Sequence, residues 1–145
     1  MSGKWSAEDM YELGTRHAKV ETEGDLDATM ATLVDDPVYE FWPVGLRMRG
    51  RDLVRRYYEH LIGEFYPIRG DASIVEEWLS PQSLAQEYRM EFRGPDGMET
   101  HHVIGILFVE GEGPLMGGER IWGSERCLRA MLGPVWNELE KIEGR

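Results

Sequence analysis

The apolar residues of this chain change their period once, and that change limits the folds open to it. After Gly50, residues Leu53, Val54, Tyr57, Tyr58, Leu61, Ile62 and Phe65 recur at the i, i+3, i+4, i+7 spacing of a helix that buries one stripe. Beyond Gly70 the period falls to two. Leu84, Gln86, Tyr88, Met90 and Phe92 alternate with Ala85, Glu87, Arg89, Glu91 and Arg93, the pattern of a strand with one solvated face. Helices first and a run of long strands afterwards specify an α+β domain with an antiparallel sheet. At 145 residues the chain reads as one domain, 1–145, and folding would bury roughly two-thirds of its unfolded surface.

Local signals place the other elements. Ser6 and Asp9 form a capping box ahead of a first helix with Met10, Leu13, Gly14, His17 and Val20 on one face. Gly24 ends it, and Asp25 caps a second helix carrying Leu26, Met30, Leu33 and Val34. Asp35-Asp36-Pro37 is expected to stop that helix, and Val38–Trp42 to form a short strand. Strands are expected at 73–79, 84–93, 100–110 and 115–122, with a hairpin turn at Gly94-Pro95-Asp96-Gly97. Ser124 caps a closing helix with Cys127, Leu128, Met131 and Leu132 inward. After Gly133-Pro134, Val135, Trp136, Leu139 and Ile142 form a second amphipathic piece. The last four residues, Ile142-Glu143-Gly144-Arg145, match a common protease-cleavage linker and bear no functional weight.

Charge and composition narrow the partners. Asp and Glu number 27 against 16 Lys and Arg, for a net charge of −11. Without clustered cations the chain is a poor match for nucleic acid or for an anionic membrane surface. No apolar run approaches the roughly 20 residues of a membrane span, and the amphipathic, acidic amino terminus does not read as a signal peptide. The single Cys127 has no internal disulfide partner, and a reducing cytoplasm is the expected compartment.

Three local patterns, in order, resemble the nuclear transport factor 2-like superfamily in its SnoaL-like branch. They are Gly24-Asp25-Leu26-Asp27; Val38-Tyr39-Glu40 with Pro43-Val44-Gly45 and Arg49-Gly50-Arg51-Asp52; and Gly118-Glu119-Arg120-Ile121-Trp122 with Leu128 and Leu132-Gly133. The resemblance spans essentially the whole chain. It implies a cone-shaped, curved antiparallel sheet wrapped around the amino-terminal helices, with an internal pocket. In ketosteroid isomerases of that superfamily, an oxyanion-binding Tyr matches His17 and its hydrogen-bonding Tyr matches Tyr58. The catalytic base matches Trp42, and a second acid falls near Gly105, where the SnoaL-type acid also falls. That isomerase chemistry needs both carboxylates, so it is not expected here. An epoxide hydrolase-like reading, third in order, would use Arg89-Met90-Glu91 with Glu119-Arg120. The same residues also read as a solvated strand face.

If Trp42 occupies the pocket like the acid it replaces, Glu40 also faces inward by the two-residue period. His17, Glu40 and His101 are then the candidate catalytic groups, and Trp42, Tyr58, Tyr88 and Trp122 the candidate substrate-binding walls. The expected activity is acid–base catalysis without a cofactor, of the cyclase, dehydratase or isomerase type, on a small apolar carbonyl or hydroxyl compound. The alternative is a module that binds a hydrophobic ligand without converting it. His101 and His102 are adjacent on a strand, face opposite sides and cannot clasp one ion, so no metal site is expected. Outward-facing Ile104, Ile106 and Phe108 would need covering, which points to a homodimer.

Overall fold

The computed structural model describes residues 3–143; Gly144 and Arg145, part of the tail singled out in the sequence, lie outside the described residues. Helix α1 (Ala7–Thr22) begins at the expected capping box. The Asp9 N–H donates to the Ser6 hydroxyl at 3.2 Å, and the Ser6 N–H to the Asp9 carboxylate at 2.8 Å. Its buried face is Met10, Leu13, Gly14 and His17. Gly14 lets the helix lie close against the sheet, since a Cβ there would come within 2.6 Å of the Leu84 side chain.

Helix α2 (Leu26–Ala31) starts at Asp25 as expected but is shorter than its apolar pattern suggests. Leu33 and Val34 belong to strand β1 (Leu33–Trp42), which extends through Asp35-Asp36-Pro37. Two interactions explain the early exit. The Thr32 hydroxyl turns back onto the Thr29 carbonyl at 2.7 Å, and the Arg51 guanidinium collects the carbonyls of Met30, Leu33 and Val34 at 3.0–3.1 Å. Pro37 interrupts the hydrogen-bond ladder without ending the strand: the register of β1 shifts between Leu33 and Val38, where proline has no N–H to give. A short strand β2 (Leu46–Arg49), absent from the sequence reading, pairs back on β1.

Helix α3 (Arg51–His60) buries Val54, Tyr57 and Tyr58. The chain continues as a wider turn at Leu61–Phe65 and a tighter one at Tyr66–Ile68. Then come β3 (Arg69–Leu79), β4 (Ser83–Gly94), β5 (Gly97–Val109) and β6 (Met116–Trp122), followed by α4 (Glu125–Leu132). Residues 133–138, expected to resume an amphipathic helix, form a tighter 3-10 turn instead, and Glu140–Lys141 adds a small strand β7.

The sheet runs β3-β4-β5-β6-β1-β2-β7. Neighbours are antiparallel except β1 and β6, which lie parallel. Gly118 permits that contact: its φ of +148° suits glycine, and any Cβ would collide with the Val38 carbonyl oxygen. The sheet is curved and unclosed, and α1, α3 and α4 fill its inner face. The core lies between them, built on Tyr39, Phe41, Tyr57, Tyr58, Leu84 and Leu128, each essentially inaccessible. On the outer face, Ile104 and Trp122 are each 37% exposed. None of the described helices is long and apolar enough to cross a membrane.

Candidate functional site

A cavity of about 280 Å³ opens between α1, the turn after α3 and the inner faces of β3 to β6. Leu61, Phe65, Met90, Leu107, Ile121 and Met131 supply apolar wall. At one end stands His17, on the inward stripe of α1, with 1% of its surface accessible.

Both ring nitrogens of His17 are engaged. Nδ1 lies 2.7 Å from the Thr32 hydroxyl. That hydroxyl gives its own proton to the Thr29 carbonyl, so it can only accept from the ring, and Nδ1 carries hydrogen. Nε2 lies 3.1 Å from a Glu21 oxygen, 3.0 Å from the Tyr58 hydroxyl and 3.7 Å from Glu119. Burial alone would push the imidazole pKa down. Hydrogen bonds and charge from Glu119 and Glu21 outweigh it and raise the value to about 9. His17 is therefore an imidazolium at neutral pH, between two carboxylates.

The surrounding phenols extend the network. Tyr58 donates to Glu119 at 3.0 Å, and its oxygen lies 2.5 Å from the Tyr39 hydroxyl. Tyr66 donates to Glu21 in a short hydrogen bond. Burial pushes the phenol pKa values of Tyr39, Tyr58 and Tyr66 far up, so they remain neutral donors. Every buried side-chain nitrogen and oxygen among the described residues has a partner.

Of the candidates read from sequence, His17 and Tyr88 line the cavity, and Tyr58 supports His17 from behind. Glu40 and Trp42 do not face it. In β1 the inward residues are Tyr39 and Phe41, whose rings meet those of Tyr57 and Tyr58. Glu40 points to the outer face between its cross-strand neighbours, 3.6 Å from Arg47 on β2 and 3.5 Å from Arg120 on β6. The Trp42 indole N–H reaches it at 3.4 Å. The inward expectation thus fails by one residue of strand parity.

His101 faces inward as expected but away from the cavity. It stacks on Phe92, with ring centroids 4.8 Å apart, and binds Glu99 and Ser124 at 3.1 Å each. Trp122 lies on the outer face, in a shallow groove with Val44, His102 and Ile104. His60 is half-buried and bonded to the Ala130 carbonyl at 3.0 Å. Arg89 and Glu91 bind each other at 2.8 Å, outside the cavity, so the epoxide hydrolase-like pairing is not assembled.

Glu21 was missed, and Glu119 entered only through the third, epoxide hydrolase-like reading. Glu21 sits one helical turn after His17, an i, i+4 spacing visible in the sequence. Glu119 shares the strand face of Ile121. Gly105 lines the cavity beside it, with Glu119 Oε1 3.8 Å from where a Cβ of residue 105 would stand. The carboxylate absent at position 105 is thus supplied from the adjoining strand. Among the described residues His17, Glu21 and Glu119 also form the one trio of donor atoms close enough to hold a metal, all within 4.8 Å. A cation would have to displace the imidazolium proton, which already offsets one of the two carboxylate charges.

No protein-family model and no curated protein sequence matches the chain. Solved structures do. A nuclear transport factor 2-like (NTF2-like) protein of unknown function from Burkholderia xenovorans superposes with a TM-score of 0.63 at 18% identity, covering 81% of this chain and 84% of that one. The fold is NTF2-like. Another chain with the NTF2-like shape is SalBIII, described as an epoxide hydrolase/cyclase-like enzyme with a role in pyran ring formation in the polyether salinomycin. It has a TM-score of 0.66 at 17% identity, over 82% of this chain and 93% of its own. PrhC from Penicillium brasilianum gives 0.64 at 12% identity, over 90% of each chain. At these identities the NTF2-like likeness is one of fold, with a pocket in the same architecture.

Proposed function

We propose that the chain is an acid–base enzyme that needs no cofactor and acts on a small, largely apolar hydroxy-carbonyl compound, by dehydration or a related cyclisation or isomerisation. One observation carries this reading: an imidazolium held between two carboxylates at the end of an apolar cavity. A paired acid and base facing one volume is what an elimination needs. Glu119 takes the proton from the carbon next to the carbonyl, and the electron pair of that C–H bond becomes the new C=C bond. His17 Nε2–H protonates the departing hydroxyl, which leaves as water. Tyr58, bonded to both His17 and Glu119, offers a route for the proton to return from Glu119 to the ring. The cyclase-like description of SalBIII agrees with this class of chemistry.

The test follows conjugated-enone absorbance from a panel of β-hydroxy ketones. Wild type should convert at least one member. His17→Gln and Glu119→Gln should each lose on the order of 100-fold or more, the usual worth of a positioned acid or base. Equal rates in wild type and both variants would end the proposal.

The internal saturation of the cluster favours a second reading, a module that retains an apolar ligand unchanged. Tight binding with no product across the panel would select it.

A further inference from the structure

Arg69, the first residue of β3, lines the same cavity and is half-buried. Its guanidinium carbon lies 4.3 Å from the centroid of the Tyr66 ring. A guanidinium that lies over an aromatic ring spends none of its N–H donors on a polar partner there, and those donors match a carboxylate in bidentate geometry. Among the described residues Arg69 has no side-chain hydrogen bond and no carboxylate at ion-pair distance; beyond Tyr66 it acts only through its charge on the Tyr88 phenol. Several other arginines are held differently. Arg49, Arg55, Arg56, Arg89 and Arg126 each meet an acidic side chain. In a chain of net charge −11, a half-buried guanidinium with idle donors at the edge of a cavity is unusual.

Position also matters. Tyr66 stacks on Arg69 by its ring and touches Glu21 by its hydroxyl, and Glu21 touches His17. The guanidinium therefore stands about one phenol ring away from the acid–base cluster, across the apolar wall. With Glu21 and Glu119 ionised and His17 and Arg69 charged, the four groups sum to zero. One monoanion is tolerated there, whereas a dianion would add repulsion from both glutamates.

We propose that Arg69 recognises a carboxylate on the ligand, so that the molecule taken up is an apolar monocarboxylate whose uncharged body extends toward His17. This rests on the cavity being a ligand site, not on turnover.

The experiment is calorimetric titration of 2-naphthoate and of its neutral analogue 2-naphthamide. For wild type the naphthoate should bind at least ten-fold more tightly. In Arg69→Gln that preference should fall to within two-fold, and Arg69→Lys, which keeps the charge but not the fork, should retain only part of it. Arg93→Gln, which removes an exposed cation outside the cavity, should keep the preference, which separates Arg69 from a general loss of positive charge. Circular dichroism confirms that each variant is folded. Equal affinity of acid and amide in wild type, binding of neither, or a preference that survives Arg69→Gln overturns the proposal. Conversion of neutral β-hydroxy ketones with no acid preference would overturn it while leaving the acid–base reading intact.

Discussion

The charge on His17 should appear as a pH dependence of stability. The group is fully buried, and its pKa rises from the ordinary 6.5 to about 9 in the folded chain. Between those values the native state holds a proton that the unfolded chain has lost, so stability falls as pH rises through the window. At 1.36 kcal/mol per unit the shift amounts to about 3 kcal/mol, fully present below pH 6.5 and gone above 9. This is an upper figure, because the Glu21 and Glu119 side chains keep 18% and 12% of their surface in contact with solvent. Urea denaturation at pH 6, 7, 8 and 9 measures it, with His17→Gln as the reference. Wild type should lose about 1 kcal/mol or more per unit above pH 7 relative to the variant. The variant should itself be weaker by about 3 kcal/mol at pH 6, since two carboxylates lose their counter-ion. Parallel pH profiles for the two proteins, or an imidazole found neutral at pH 7 by nitrogen NMR, would refute the reasoning.

Three further outcomes follow from the same geometry. Glu40→Gln should leave turnover within two-fold of wild type, because the group faces Arg47 and Arg120 on the side of the sheet away from the cavity, but should cost about 1–3 kcal/mol, since this buried carboxylate serves both guanidiniums. Side-by-side kinetics and melting of that variant check it. Gly118→Ala should cost about 3 kcal/mol or more, since its Cβ enters the Val38 carbonyl and parts β1 from β6; thermal denaturation or loss of soluble yield reads this. Cys127 should resist thiol reagents at pH 8 until the chain unfolds, because burial first and the charge of Glu99 next push its thiol up to about 12. Labelling as fast in buffer as in urea would contradict that.

What the sequence revealed was local. The capping box at Ser6, the stripe from Leu53 to Phe65 and the alternation from Leu84 to Phe92 depend on neighbours within a few residues, and the structure has all three, though the α-helix of the stripe gives way to a wider turn from Leu61 to Phe65. The resemblance anticipated the architecture as well. The parity of β1 was not legible. Val38-Tyr39-Glu40-Phe41-Trp42 is bulky at odd and even positions alike, so alternation cannot say which side is inside. The choice is made by Tyr39 meeting Tyr58 and by pairing with β6, contacts that no short window contains. For the site, the stripe of α1 pointed to His17. Glu21 could have been found from the i, i+4 spacing, but an acid at a helix edge usually reads as solvated. Glu119 needed the parity of β6, and its value becomes visible only beside Gly105, where an absent side chain makes room for it.

The parallel seam between β1 and β6 also bears on how the molecule assembles. It joins segments about 80 residues apart, and pairings of such long reach are generally slow to form, because the intervening loop must first be closed. Strand β6 carries Glu119 into the cavity. A chain collapsed as far as β5 would thus present His17 to Glu21 alone, with one wall open to water. Only the completed sheet offers the whole binding surface. Any ligand that touches both His17 and Glu119 therefore draws the population toward the joined sheet by mass action, and its grip doubles as a reporter that helix and strand have come together.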